Sequence, residues 1–336
     1  MKIIFSHSMP FFLAHGGIQT LTEALMREVA NLGVEVEPER WWDDRQRGDI
    51  LHYIGRPPVG NVRAARQKGF KVVVTENMGQ MAGRGFGRLW MQRCMMETAR
   101  AVLPSALLDR MSWDVYREAD ALVFVVEYEW QAVQYLFRAP AGRGHVIPHG
   151  LDPAALERLA QPEAEQDYLV CMATIYPVKN TVLLARAAHL AQTPIVFLGN
   201  PYSTSDPYFV EFKELVDGKI VRYPGFAGGE EKYRWLRGAR GFALLSQFES
   251  GCIALYEAAA AGLPLFLPER PWASQVYREV STATFVRASS PEAVAPSLKG
   301  FYAQAHRQAR PAFPILTWRQ VAERYLAVYR TIWEAS

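Results

Sequence analysis

Strand-like and helix-like segments alternate along this chain from end to end, and near the middle the alternation starts again. In the first half "KIIFS" (2–6), "DILHYIG" (49–55), "KVVVTE" (71–76) and "ADALVFVV" (119–126) read as strands, with an amphipathic helix from Ile18 to Asn31 after the first of them. A short stretch broken by Pro148 and Gly150, "GHVIPHGLD", then reads as a linker. Beyond it come "YLVCMAT", a helix over 180–191, "PIVFLGN", "KIVRYPG", "GFALLS" and "LPLFLPE". Short apolar runs separated by helical patterns predict α/β architecture with parallel sheets, because parallel strands need a crossover between them. The restart predicts two doubly wound units rather than one sheet, and 336 residues suffice for two domains. We place an N-terminal Rossmann-like domain at 1–148 and a second at 149–318. A closing helix, 319–336 within the amphipathic run Thr317 to Ala335, is expected to return to the first domain. Its seam of Trp318, Tyr325, Tyr329 and Trp333 reads as core packing.

Composition narrows the function classes. Half the residues are apolar and 21% are charged, which is a core-forming balance. A net charge of +3 gives no argument for nucleic acid. Cys94, Cys171 and Cys252 stand apart, an odd number without metal spacing, so reduced thiols in a cytoplasmic protein are expected. The start reads as a strand rather than a signal peptide, and no run approaches the roughly 18 apolar residues of a membrane span. The seven histidines are scattered without ligand spacing, and neither a G-x-S-x-G elbow nor a Walker lysine loop is present.

The stretch with chemistry in it is "FESGCIALYEAAAAGLP", 248–264. An apolar helix here carries Glu257 in its middle, with Glu249 eight residues earlier, and a dry carboxylate needs a partner. Strand "GFALLS" ends at Ser246, so Gln247 to Gly251 form the strand-to-helix loop, with Ser250 as the expected N-cap. Free N–H groups at the start of the next helix suit a phosphate. Glu249 is placed to accept from a polyol, and Glu257 from the paired hydroxyls of a ribose. The structural alternative is that Glu257 pairs with a buried arginine and Glu249 is solvated. In parallel sheets ligands sit beyond the carboxyl ends of strands. That directs attention to His15-Gly16-Gly17 and to the loops 75–78, 174–180, 199–202, 223–227 and 247–251.

The segment resembles the E-x7-E region of the retaining nucleotide-sugar glycosyltransferases of family four, which have the GT-B fold of two Rossmann-like domains facing an interdomain cleft. Other stretches resemble that family in the same order. "HGGIQTLTEALMREVANLGVEV" is similar to its glycine loop and first helix, and "VIPHGLD" to its linker, with His149 for Asn. "ATIYPVKN" is similar to its G-R-x-x-P-x-K-G loop, and "TWRQVAERYLAVY" to its closing helix. The resemblance implies a metal-independent hexosyltransferase of polysaccharide-biosynthesis type, with a nucleotide-diphosphate sugar as co-substrate and no other cofactor. It implies that Lys179 neutralises the departing diphosphate, that Glu249 holds the donor sugar and that Glu257 holds the ribose. Gly16 and Gly17 would let the backbone approach the diphosphate, Ser250, Gly251, Cys252 and Ile253 would supply N–H groups, and Phe226 lies in the loop that borders the base. Two positions depart from the pattern. The usual arginine before the lysine is Thr174, and a usual histidine in the first domain is Asn77, beside Glu76. Asn77 can orient a sugar hydroxyl but cannot act as a general base.

The acceptor is expected to be a glycan, a lipid-linked molecule or a small molecule. The run 77–102, rich in Gly, Met and Arg84, Arg88 and Arg93 around Trp90, is a candidate for receiving it, or for touching the inner face of an anionic membrane. Its plainer reading is a core helix with a flexible lead-in. A nucleotide-sugar epimerase of the same fold, or a non-catalytic nucleotide-sugar or glycan-binding relative, would fit the same residues.

Overall fold

The structure is a computed structural model that describes residues 1–7, 11, 16–76 and 84–335. It divides into two compact units, Met1–Gly150 with the chain from Leu316 onward, and Leu151–Ile315.

In the first unit the chain runs β1 (Lys2–His7), α1 (Gly17–Asn31), β2 (Glu35–Pro38), β3 (Ile50–Ile54), α2 (Val59–Gln67), β4 (Lys71–Thr75), α3 (Phe86–Val102), α4 (Ser105–Met111), α5 (Val115–Glu118), β5 (Ala121–Phe124), α6 (Glu127–Phe137) and β6 (Gly144–Val146). A two-residue strand, β7 (Gly150–Leu151), ends this half. The six-stranded sheet has the order β2-β1-β3-β4-β5-β6, and all its pairings are parallel. Every residue of β3 and β5 is buried, as expected of strands covered on both faces.

The second unit runs α7 (Pro153–Ala160), β8 (Leu169–Met172), α8 (Thr181–Ala191), β9 (Ile195–Leu198), α9 (Pro207–Glu214), β10 (Val221–Gly225), α10 (Gly229–Gly238), β11 (Gly241–Ala243), α11 (Ile253–Ala260), β12 (Leu265–Pro268), α12 (Pro271–Ser274), β13 (Ala283–Val286) and α13 (Pro291–Gln304). Its sheet is also six-stranded and wholly parallel, in the order β10-β9-β8-β11-β12-β13. The chain closes with β14 (Leu316–Thr317) and α14 (Trp318–Glu334).

Helix α14 starts at a capping box, Thr317 accepting from Gln320 N–H while Gln320 reaches back to the Thr317 N–H, so its first turn is locally fixed. It packs along α1. Trp318, Tyr325 and Tyr329 are buried as the aromatic seam requires, but Trp333 is 42% exposed. The seam also carries polar chemistry. Tyr329 Oη lies 2.7 Å from His52 Nδ1, His52 Nε2 lies 2.8 Å from Thr75 Oγ1, and Tyr325 Oη lies 3.2 Å from the same hydroxyl. Burial pushes the His52 pKa down to about 3, so the ring is neutral and both its nitrogens are satisfied. Among the described residues no helix is long and apolar enough to cross a membrane.

Candidate active site

The order of the second sheet reverses between β8 and β11, so the chain leaves these neighbouring strands in opposite directions. The carboxyl ends of two such diverging strands are the usual ligand site of these sheets. The loop after β8 carries Thr174 and Lys179, and the segment after β11 carries Glu249, Ser250, Gly251 and Cys252. Three hydrogen bonds fix the two loops. Gln247 N–H donates to Val178 O at 2.8 Å, Asn180 Nδ2 donates to Leu245 O at 2.8 Å, and Trp272 Nε1 donates to Ser246 O at 3.1 Å. Asn180 takes a left-handed backbone, φ 52°, which asparagine tolerates better than most residues, and this turn starts α8. Gly199, in the next loop, sits so close that a Cβ there would lie 2.1 Å from Ala173 O, and only glycine allows that approach.

The stitching brings Lys179 onto Glu249. The ammonium donates to both carboxylate oxygens, at 2.6 and 2.8 Å, with only 25% and 10% of the two side chains exposed. Burial presses the Lys179 pKa down, but the Glu249 carboxylate, with Cys252 beside it, outweighs burial and leaves it raised. The lysine is therefore a permanent cation, and its charge is matched before any ligand arrives. Burial also pushes the Cys252 thiol up to about 12, so this cysteine is a neutral, unreactive group next to the pair.

Helix α11 begins two residues later than the sequence predicts. Cys252 is its N-cap, without a side-chain cap bond, and Ser250 lies in the loop before it. The N-cap preference of serine is a local propensity, whereas the helix start is set here by the loop ties just described. The first turn of α11 thus presents N–H groups that have no intrahelical acceptor. Glu257 lies in the second turn, buried, with one oxygen 2.5 Å from Lys232 Nζ on α10. Burial raises the Glu257 pKa, and Lys232 pulls it part of the way back. Glu257 has a basic partner, as the structural alternative drawn from sequence expects, though a lysine rather than an arginine, and Glu249 is paired rather than solvated. Lys232 is the residue that sequence reasoning missed. Its only signal was a lysine in the first turn of a helix following the 223–227 loop.

Of the remaining candidates, Thr174 is half-buried in the β8 loop and brings no charge to the site. Phe226 follows the positive-φ Gly225 and is 68% exposed, with its ring against Gly228. Gly16 and Gly17 belong to the first unit, as the N-cap and first residue of α1. Asn77 lies outside the described residues, as do His15 and the start of the 77–102 run. Its neighbour Glu76 is buried and accepts from Tyr116 Oη at 2.6 Å. Among the described residues no three His, Cys, Asp or Glu side chains converge to hold a metal.

Each unit also contains a cavity. One of about 670 Å³ is lined by Ala260, Ala261 and Arg307 at the C-terminal end of α11, away from the lysine–glutamate pairs. The other, about 340 Å³, belongs to the first unit and opens where its own strand order turns, at β1 and β3, among Ser6, Glu39, Trp41, Tyr53, Arg56 and Asn61.

Residues 157–311 match the family described as glycosyl transferases, group 1. The match covers most of the second unit and just under half of the chain. Its boundaries fall inside the compact unit 151–315, which holds Lys179, Lys232, Glu249 and Glu257 together. Solved structures resemble the whole chain. AviGT4, a glycosyltransferase involved in avilamycin A biosynthesis, matches at 17% identity and a TM-score of 0.66, covering 100% of this chain and 99% of its own. Sucrose-phosphate synthase from Thermosynechococcus elongatus matches at 15% identity and a TM-score of 0.67, covering 100% of both chains. HepE from Anabaena, solved in complex with UDP-glucose, matches at 13% identity and a TM-score of 0.63, covering 100% of this chain and 99% of its own. At such identities the likeness establishes the fold, which is GT-B, with two Rossmann-like domains. No curated protein matches the sequence significantly. The match over 157–311 supports a function in glycosyl transfer.

Proposed function

We propose that the chain is a retaining, metal-independent glycosyltransferase that uses a nucleoside-diphosphate sugar. The reading is carried by the Lys179–Glu249 pair, which lies where the strand order reverses, just ahead of the first turn of α11. In this scheme the diphosphate rests on the N–H groups of Ser250 to Ile253 and draws Lys179 toward itself. Glu249, relieved of part of that contact, accepts from hydroxyls of the donor sugar, and Glu257 accepts from the ribose. The bond between the anomeric carbon and the β-phosphate oxygen breaks, and its electron pair leaves with the phosphate. The acceptor oxygen bonds the anomeric carbon on the same face, and its proton passes to the departing phosphate oxygen. Such a route needs no protein base, so Asn77 is assigned to orienting a sugar hydroxyl. Lys179 and the helix N-terminus supply the electrostatic stabilisation. The acceptor is a glycan, a lipid-linked molecule or a small molecule.

UDP-glucose, the ligand of HepE, is the first donor to try, followed by other nucleoside-diphosphate sugars. Release of nucleoside diphosphate, with product configuration read by proton NMR, tests the reading. An α-linked product from an α-linked donor is expected, and a β-linked product refutes retention. One observation favours a second reading. Both lysines are already held by carboxylates and Thr174 adds no cation, which suits binding without transfer. Tight donor binding with neither transfer nor hydrolysis across a broad acceptor panel would select it, and conversion of the donor sugar without any acceptor would indicate an epimerase instead.

A further inference from the structure

Helix α3 turns its apolar side outward. At 100° per residue, Trp90, Met91, Cys94, Met95, Thr98 and Val102 fall within one arc of about 140°. None of the helix's four charged residues, Arg88, Arg93, Glu97 and Arg100, lies in that arc. The face is open to solvent, with Trp90 57%, Met95 68% and Val102 70% exposed. Leu89 and Met96, on the opposite side, are buried in the first unit. A surface helix ordinarily shows the reverse arrangement, and a contiguous exposed apolar patch marks an interaction site.

The surrounding charge identifies the partner. Between residues 84 and 111 there are five arginines and two acids. Both acids are consumed internally, Glu97 by Arg138 at 2.9 Å and Asp109 by Arg63 at 2.9 Å. Arg88 and Arg110 are exposed and carry no ion pair among the described residues. A band of tryptophan and methionine edged by the unmatched Arg88, with Arg110 on the helix that follows, complements one surface above others, an apolar layer beneath a sheet of anionic headgroups. Tryptophan suits that boundary because its ring is apolar and its N–H remains hydrated.

We propose that the outward face of α3 docks the protein onto an anionic lipid membrane, with Trp90, Met91 and Met95 inserted among the headgroups and Arg88 and Arg110 on lipid phosphates. The proposal does not depend on which reaction the second unit performs. Vesicle flotation tests it, using phosphatidylcholine vesicles with and without about a third phosphatidylglycerol. The full chain is expected to float with the anionic vesicles and to stay down with the neutral ones. The triple variant Trp90→Ser, Met91→Ser, Met95→Ser should lose at least tenfold in apparent affinity while keeping the wild-type melting temperature, since its side chains are exposed. Arg88→Glu should weaken binding on the order of tenfold at low salt, as reversal changes the local charge by two. A wild-type protein that ignores anionic vesicles overturns the proposal, and so does a triple variant that floats unchanged. Wild-type dimers in sedimentation that become monomers in the triple variant would assign the face to a second copy of this chain, and also overturn it.

Discussion

Glu249 and Glu257 are the same residue type, eight positions apart, each on a lysine, yet their surroundings leave them in different states. Glu249 lies in a loop and receives both of its hydrogen bonds from one ammonium, so the pair is closed on itself. Glu257 is built into a helix, is buried, receives one bond from Lys232, and is held above the ordinary carboxylate range. The loop pair can open by moving a side chain, whereas the helix pair is fixed by the packing of α10 and α11. A group meant to change partners during a reaction belongs on the first kind of site, and a group meant to hold a fixed part of the ligand belongs on the second.

Lys179→Ala breaks that comparison most severely. It removes the cation assigned to the diphosphate and should lower kcat by about 10²–10³. It also leaves Glu249 buried without its partner, so a fall in melting temperature accompanies the kinetic loss. Lys179→Arg, measured beside it, should restore stability more fully than rate, because a planar fork replaces a point charge. Glu257→Ala should then cost roughly 10–100-fold in donor affinity, the worth of hydrogen bonds to a charged group, with a smaller effect on kcat for bound donor.

Lys232→Met separates the two sites by stability. Glu257 loses the charge that holds its pKa down, and the variant should be destabilised by roughly 1–3 kcal/mol, less than a fully buried pair because Lys232 is partly hydrated. The loss should be greater at pH 8 than at pH 5. A carboxyl raised in the folded state stabilises it fully only below the ordinary glutamate range. That contribution fades as pH rises through the folded pKa, where the unfolded chain has already released the proton. Glu257→Gln should show the smallest effect, a melting temperature that improves relative to wild type as pH rises through the same window. Comparing each variant with wild type at one pH cancels the opposite slope from His52. Its depressed pKa makes the first unit gain stability as pH rises from about 3 toward the ordinary histidine value.

Period and punctuation made the strands and the restart of the pattern readable, since buried parallel strands are largely apolar runs. The candidate site was readable too, because Lys179 and Glu249 lie at strand exits. Lys232 was not, since its meeting with Glu257 across α10 and α11 is a tertiary fact with no spacing rule behind it. Ser250 was misplaced as the N-cap for a related reason, because the bond from Gln247 N–H to Val178 O decides how long the loop runs. The outward face of α3 was legible as an apolar run with arginines, and the structure added which side of the helix it occupies.

The central claim is that a nucleoside-diphosphate sugar binds between the loop after β8 and the start of α11. Calorimetric titration of UDP-glucose and a panel of nucleoside-diphosphate sugars into wild type and Glu257→Ala measures this directly. The account predicts that at least one donor binds wild type and weakens at least tenfold in the variant, measured at a temperature where both proteins are folded. A panel in which no donor binds, or in which the bound donor has the same affinity for both proteins, would contradict it.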